Sequence, residues 1–173
     1  MTAQRIDQLI QAYAEGPRLL EAALAGIPKD ELHFKPDPEH WSIHENVVHL
    51  ADTDLVAAAR IRYILAQPGA TLVAFDQNHW ARAMDYAAQS TDTSVALLRA
   101  VRQTTADLLR RAPAEAWEQT GAHTDLGPQT IAWIVEHFAD HMQGHLSTIA
   151  KRRRQYAEAR GESLRAFMVT TLL

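Results

Sequence analysis

Three histidines spaced four residues apart are the first feature of this 173-residue sequence that could carry chemistry. They form the pattern H-x-x-x-H-x-x-x-H as His137, His141 and His145, among nine histidines in all. On a helix, residues four apart lie on one face with Cβ atoms about 5–6 Å apart, so two imidazoles can bind one metal ion. The outer two are about 12 Å apart along the helix axis, too far for all three to share an ion easily. The spacing leaves two candidate pairs open, His137 with His141 or His141 with His145.

A third ligand must come from another helix, and His49 is the candidate. Apolar residues surround it in the run Val47–Leu50, which predicts that it faces the interior of a helical bundle. Three neutral imidazoles leave open positions on a tetrahedral or octahedral ion, and nitrogen donors suit Zn, Ni, Cu or Fe(II). Such an ion can acidify a bound water molecule or polarise a substrate oxygen. From the spacing alone, a partly solvated histidine face or core histidines bonded to carboxylates stays an open alternative.

The elements that must position these histidines are helices. Period-two alternation is scarce, and apolar residues recur at spacings of three and four, which indicates amphipathic helices. The pattern predicts four long helices, approximately over residues 2–24, 42–66, 91–113 and 128–156. We expect Gly16 and Pro17 to kink or split the first helix. Ser42 and Glu45 have the spacing of a capping box, which predicts where the second helix begins.

Between the long helices we expect polar connectors. Pro36 and Pro38 predict a non-helical connector over residues 28–40, and the longer connection after Pro68 has room for a short helix around residues 78–87. We expect residues 121–128 to form a loop. The pattern therefore predicts an all-α fold, an antiparallel four-helix bundle in one domain covering residues 1–173, with a long connection between the second and third helices. The apolar tail, residues 157–173, should pack on the bundle or at a subunit interface, as in a homodimer.

Composition and short patterns exclude several classes of protein. The chain has no cysteine, so disulfides, thiolate metal sites and cysteine nucleophiles are excluded. A formal charge of -4 gives no electrostatic reason to expect nucleic acid as a partner. No apolar run is long enough for a membrane span, and the first residues do not read as a signal peptide, so we expect a cytoplasmic protein. Asp140 does not occupy the glutamate position of H-E-x-x-H, which excludes a zincin protease.

Three segments of the chain resemble those of a known family. WSIHENVVHLAD at residues 41–52 and HFADHMQGHL at residues 137–146 are similar to the two signatures of the DinB/YfiT-like superfamily, and FDQNHW at residues 75–80 is similar to its middle segment. Members of that family are four-helix bundles in which one histidine of the second helix joins an H-x-x-x-H pair of the last. The resemblance therefore implies that the metal ligands are His49, His141 and His145. It leaves His137 on the inner wall or in contact with a ligand.

Other residues are weaker candidates. Ligand histidines usually donate their second N–H to a carboxylate or a carbonyl, and the candidates for that role are Asp52 and Asp140. Three residues of the middle segment could line the mouth of a pocket: Asp76, His79 and Trp80. We assign Trp41 and Glu45 to the start of the second helix rather than to chemistry.

The resemblance also implies a range of functions. Characterised members include metal-dependent transferases and isomerases that use small thiols such as bacillithiol or mycothiol. We therefore expect a metal-dependent hydrolase or a small-thiol S-transferase with a divalent transition metal (Zn, Ni or Fe) and a small-molecule substrate, which could itself be a low-molecular-weight thiol. The alternatives are a non-catalytic metal-containing binding or stress-response protein, and a bundle whose histidines bind no metal.

Overall fold

Four long helices form the frame of the computed structural model, which describes residues 1–161. They are α1 (Ala3–Leu24), α3 (Ile43–Ala66), α5 (Thr91–Arg111) and α6 (Ile131–Ala159). The smaller elements are α2 (Lys29–Leu32), α4 (Gln77–Ala83), single 3-10 turns at Tyr86–Ala88 and Ala114–Glu118, and strands β1 (Thr71–Leu72), β2 (Thr120–His123) and β3 (Gly127–Thr130). The prediction of a four-helix bundle with a long connection between its second and third helices is confirmed.

The packing order of the long helices differs from their order in the chain. α1 and α3 each pack against both α5 and α6. α3 and α6 run antiparallel, because Trp41 before α3 contacts Arg152 late in α6, while Asn46 contacts His145. α3 and α5 run parallel, since their starts contact each other and so do their later turns. A parallel neighbour requires a connection that returns along the bundle, and residues 67–90 provide it.

The capping box at the start of α3 is confirmed. The Ser42 hydroxyl accepts a hydrogen bond from the Glu45 backbone N–H at 3.1 Å, and the Glu45 carboxylate accepts one from the Ser42 N–H at 2.8 Å. These bonds satisfy two N–H groups that the helix start would otherwise leave unpaired. They fix the residue at which α3 begins, and with it the position of every later side chain along the helix axis.

Gly16 and Pro17 do not split α1, which is continuous from Ala3 to Leu24. Proline has no N–H, so the Tyr13 carbonyl four residues earlier lacks its helical donor. The Arg102 guanidinium supplies a replacement through Nη1 at 2.9 Å. A Cβ on residue 16 would overlap that same nitrogen, so glycine is required for this close approach. The Gly16-Pro17 pair therefore provides both the space and the free carbonyl acceptor for an arginine of α5.

That arginine forms a buried polar link between helices. Arg102 and Asp54 are both 0% exposed, and they pair through two hydrogen bonds of 2.9 and 3.0 Å. Arg102 also donates to the Phe138 carbonyl of α6 at 2.8 Å. The ion pair lies between two apolar clusters, one containing Leu98 and the other Ala106 of the same helix. Arg102 thus binds α1, α3 and α6 to α5.

Two local expectations are wrong. The segment 121–128, expected as a loop, contributes to a small sheet in which β2 pairs antiparallel with β3 and parallel with β1. Gly121 permits this packing, because a Cβ there would come within 2.8 Å of the Leu72 side chain. The connector over residues 28–40 contains the one-turn helix α2, which Pro28 precedes. Both α2 and the strands have only two to four residues, too few to show a period in the sequence.

The ends of α6 also differ from the prediction. It begins at Ile131 rather than Pro128, because β3 uses the preceding residues, and it continues to Ala159. The first residues of the predicted tail therefore belong to this helix, while residues 162–173 lie outside the described part of the chain. Their packing on the bundle or at a dimer interface stays a prediction. Within residues 1–161 no helix combines the length and the apolar character that crossing a membrane needs.

Candidate metal centre

His49 of α3 and His141 and His145 of α6 converge where these antiparallel helices face each other. The Nε2 atoms of His49 and His141 are 3.3 Å apart, and those of His141 and His145 are 3.1 Å apart. One nitrogen from each of the three rings lies within 4.8 Å of the other two. We call these residues the three-histidine cluster. Within residues 1–161 it is the only group of histidine and acidic side chains found with this geometry.

The spacing of the nitrogens fits one metal ion. Two nitrogens that are each about 2.0–2.1 Å from an ion, at angles of 90–110°, are separated by roughly 2.9–3.4 Å. Both Nε2 separations fall in that range. Three imidazoles occupy fewer positions than a tetrahedral or octahedral ion offers, so a further ligand can bind. The cluster could therefore hold a divalent transition metal with an open coordination position.

The protonation state of the cluster also fits a metal. Burial lowers the pKa of His49 to about 3, with the neighbouring His145 as a smaller cause. Burial likewise lowers the pKa of His141 to about 3 and that of His145 to about 4. All three rings are therefore neutral at pH 7, and each has a nitrogen lone pair available. A neutral imidazole is the form that binds metal ions.

Asn46 determines which nitrogen of His145 carries its proton. The Asn46 amide nitrogen donates to the Ser42 carbonyl at 2.7 Å, so the amide oxygen is the atom that faces His145. That oxygen lies 2.7 Å from His145 Nδ1 and must accept a hydrogen bond from it. The proton of the neutral ring is then on Nδ1, and the lone pair is on Nε2, the nitrogen that faces His141. The start of α3 thereby orients a ligand on α6.

The other two rings are held by packing. Their Nδ1 atoms are buried without a hydrogen-bond partner among the described residues. The Trp41 ring lies against the His49 ring with centroids 4.7 Å apart. An aromatic wall on one side and an orphaned ring nitrogen mark His49 as a side chain whose polar function lies at its other nitrogen, Nε2.

A solvent-accessible pocket of about 390 Å³ opens beside the cluster. Its volume is within the range of roughly 300–1,000 Å³ that small-molecule sites occupy. His141 and His145 form part of its wall, so a molecule in the pocket can reach the open side of the cluster. The other lining residues are Glu39, His40, Trp41, Asn46, Gln77, Asn78, Thr148 and Arg152.

Comparison with known proteins identifies the family. The family model of the DinB superfamily matches residues 12–149. The chain belongs to the DinB superfamily. A protein of Oceanobacillus iheyensis named "Putative metal-dependent hydrolase" is 30% identical over 149 residues, 86% of each chain. A protein of Geobacillus kaustophilus with the same name is 23% identical over 159 residues, covering 88% of this chain and 86% of that one.

A solved structure shows the same fold. YfiT from Bacillus subtilis matches this chain with a TM-score of 0.83 and 21% sequence identity, covering 94% of this chain and 91% of that one. It is described as a probable metal-dependent hydrolase with an unusual four-helix bundle topology. At this identity the likeness establishes the shared fold. The parallel pairing of α3 with α5 agrees with an unusual topology.

In this DinB-superfamily chain, His137 is not part of the cluster. It is exposed and stacks on Trp133, with ring centroids 4.7 Å apart and planes 8° from parallel. Its centroid lies 6.3 Å from that of His141, and no hydrogen bond joins it to the cluster among the described residues. His137 does not lie on the inner wall, because Trp133 holds its ring at the surface; of the two expected positions, contact with a ligand is the one left, through the ring of His141.

The two aspartates proposed as partners of the ligands do not bond to them. Asp52 is half-buried, but the orphaned His49 Nδ1 shows that its carboxylate does not reach that ring. Asp140 is exposed, and its charge acts on His137, where it opposes the lowering of the pKa by burial. The hydrogen-bond partner that the structure does provide is Asn46, which no motif indicated. A signal was present, because Asn46 is three residues before His49 and thus on the same face of a helix.

The middle segment contributes to the pocket through different residues. Asp76 caps α4, where its carboxylate accepts hydrogen bonds from the backbone of Asn78 and His79. Trp80 stacks on Phe75 with centroids 4.4 Å apart. The pocket is instead lined by Asn78 and its neighbour Gln77. Asp76, His79 and Trp80 therefore do not line the pocket beside the cluster, although their segment is adjacent to it.

Two residues assigned to the start of α3 have different roles. Glu45 is part of the capping box, as predicted. Trp41 both covers His49 and lines the pocket, which the sequence did not indicate. The nearby His44 is 1% exposed and bonded through both ring nitrogens, to the Thr91 hydroxyl and the Tyr86 carbonyl. It is a satisfied core histidine with no free lone pair to offer.

Proposed function

We propose that the chain is a metal-dependent hydrolase whose ion is held by His49, His141 and His145. The observation that carries this proposal is the convergence of three neutral imidazoles, with two Nε2 separations in the range expected for a shared metal ion. A divalent ion held by these residues, Zn, Ni or Fe, would supply Lewis-acid chemistry, lowering the pKa of a water molecule and polarising a substrate oxygen. The names of the relatives from Oceanobacillus and Geobacillus support the same class of reaction.

The protein's own residues perform three tasks in this proposal. Asn46 keeps the His145 proton on Nδ1, which leaves Nε2 free to bind. Trp41 packs on His49 and shields that side of the cluster from water. The pocket admits a small molecule to the remaining side. An accessible pocket beside the ligands supports turnover over a closed site that only stores or carries a metal.

The first test measures metal content with a matched control on the same helix. Untagged protein is purified without a metal column, loaded with Zn²⁺, Ni²⁺ or Fe²⁺, dialysed and analysed for bound metal. We expect about one ion per chain in the native protein, and loss of binding in His49→Ala, His141→Ala and His145→Ala. His137→Ala removes an equivalent side chain one turn away and should keep the ion. Full metal content in His141→Ala would refute the site.

The second test measures turnover. The metal-loaded chain is assayed against a panel of activated esters and amides, and against a thiol with an electrophilic acceptor to detect S-transfer by the same ion. Hydrolysis that disappears with a chelator and returns with metal supports the proposal. Thiol transfer without hydrolysis would move the chain to the S-transferase class. Bound metal without either activity would favour a non-catalytic metal protein.

A further inference from the structure

We infer that the pocket beside the three-histidine cluster has a second subsite, in which Arg152 binds a carboxylate of the substrate. The inference rests on the proposed function, because it assigns the chemistry of one end of that substrate. Arg152 lines the pocket together with His141 and His145, yet it is only 4% exposed. A charged side chain at this depth is costly unless an opposite charge balances it.

Arg152 has no carboxylate partner within residues 1–161. Its Nε donates to the Trp41 carbonyl at 2.9 Å, and its Nη1 donates to the Gln155 side-chain oxygen at 2.7 Å. Both partners are neutral, so they orient the guanidinium without balancing its charge. No hydrogen bond from Nη2 is present among the described residues. Arg102, the other buried arginine among residues 1–161, shows the contrast, because Asp54 accepts two of its hydrogen bonds.

The acidic groups near Arg152 do not replace a ligand. Asp37 is the charge that acts on it, but Asp37 is exposed and bonded to His40. Glu39 lines the same pocket as an exposed residue. Water and salt weaken the effect of charges that are exposed to solvent. The guanidinium therefore keeps an unmatched charge inside the pocket.

The position of Arg152 on α6 relates it to the cluster. It follows His145 by seven residues, two turns along the same face and about 10.5 Å along the axis. Long helical side chains lean towards the helix N-terminus, which brings the guanidinium towards the cluster. Thr148 lies between them and also lines the pocket. A small molecule can thus reach the cluster with one group and the arginine with a carboxylate at its other end.

The test uses full-length protein loaded with Co²⁺ and two pairs of matched thiols. 3-Mercaptopropionate and 6-mercaptohexanoate carry a carboxylate, whereas 3-mercaptopropanol and 6-mercaptohexanol carry a hydroxyl in its place. Thiolate binding to the ion is followed by the sulfur-to-cobalt charge-transfer absorption. We expect the native chain to prefer the better-fitting acid over its alcohol by about tenfold, which corresponds to about 1.4 kcal/mol.

Two variants locate the preference. In Arg152→Gln the acid should lose its advantage, while the alcohol binds as before and cobalt content is unchanged. Arg154→Gln removes the same charge from an exposed position two residues further along α6 and should keep the preference. An equal preference for acid over alcohol in native protein and Arg152→Gln overturns the subsite.

A third arm separates this inference from the proposed function. The metal-free chain is titrated with the same acids while the arginine Nε–H resonances are followed by NMR. The signal missing from Arg152→Gln identifies Arg152, and we expect it to move with the acids but not with the alcohols. Movement of that signal in a chain that fails to bind cobalt keeps the subsite and refutes the metal centre. If cobalt binds, but the Arg152 signal does not move and the acids are not preferred, the metal centre is kept and the subsite is refuted.

Discussion

Replacing Asn46 with alanine should weaken zinc binding by about 10- to 100-fold, the range typical for removal of a hydrogen-bond partner of a ligand histidine. In the native chain the Asn46 oxygen holds the His145 proton on Nδ1. Without it, His145 is free to carry the proton on Nε2, the nitrogen needed by the metal, and Nδ1–H loses its acceptor. An unpaired buried donor costs about 1–3 kcal/mol. A loss of 10- to 100-fold corresponds to about 1.4–2.7 kcal/mol, so the two magnitudes agree.

The assay is competition for Zn²⁺ against a chromophoric chelator, with thermal unfolding of the metal-free proteins as a check on folding. Asn78→Ala is the matched control, because Asn78 lines the same pocket and, among the described residues, its side chain makes no hydrogen bond to a histidine of the cluster. Asn46→Asp retains an acceptor for His145 and should bind zinc more tightly than Asn46→Ala. Zinc affinity within twofold of native in a folded Asn46→Ala would refute the tautomer argument.

Two further predictions concern stability. Because the cluster pKa values of about 3 to 4 lie below the usual 6.5, the unfolded chain binds protons below pH 6.5 that the folded chain does not. In urea unfolding, the free energy of unfolding of the metal-free chain should fall by about 2 kcal/mol per cluster histidine between pH 7.5 and pH 5. His141→Phe should remove about a third of the total fall, and an unchanged fall would contradict this prediction. Arg102→Met should lower the free energy of unfolding by about 3–5 kcal/mol, since it leaves the carboxylate of Asp54 buried and unpaired. Adding Asp54→Leu should recover part of the loss, and a double variant no more stable than Arg102→Met would argue against the ion pair as the cause.

The sequence was sufficient for the long helices because each has many turns over which an apolar period can repeat. The start of α3 was predictable for a different reason, since Ser42 and Glu45 form a local motif that needs no tertiary information. The sheet was not predictable. Its strands are two to four residues long, and β1 and β2 pair across about fifty intervening residues. Gly121 reads as a turn residue, although its role is to let strand and helix approach closely.

The candidate site was likewise predictable from the sequence only in part. A spacing of four residues advances the direction of a side chain by roughly 40° around a helix, so three histidines in a row fan out over roughly 80°. Which neighbouring pair faces α3 depends on the rotation of α6, and this is set by burial of Phe138 and Met142 on its core side. Spacing alone could not supply that rotation, but the family resemblance selected the pair that converges in the structure. The resemblance gave no role to Asn46 or Arg152, and both act through contacts between distant parts of the chain.

The antiparallel pairing of α3 with α6 places the residues of the site on the two helices opposite one another. Moving forward from Trp41 to Asn46 to His49 on one side corresponds to moving backward from Arg152 to His145 to His141 on the other. A slip of one residue between these helices would therefore break the carbonyl contact, the tautomer-setting hydrogen bond and the ligand convergence at once. The capping box fixes where α3 begins, and Arg102 bonds to Asp54 of α3 and to the Phe138 carbonyl of α6. This buried arginine makes no hydrogen bond to a cluster histidine. It nevertheless opposes the slip, because its bonds to both helices fix their relative axial position.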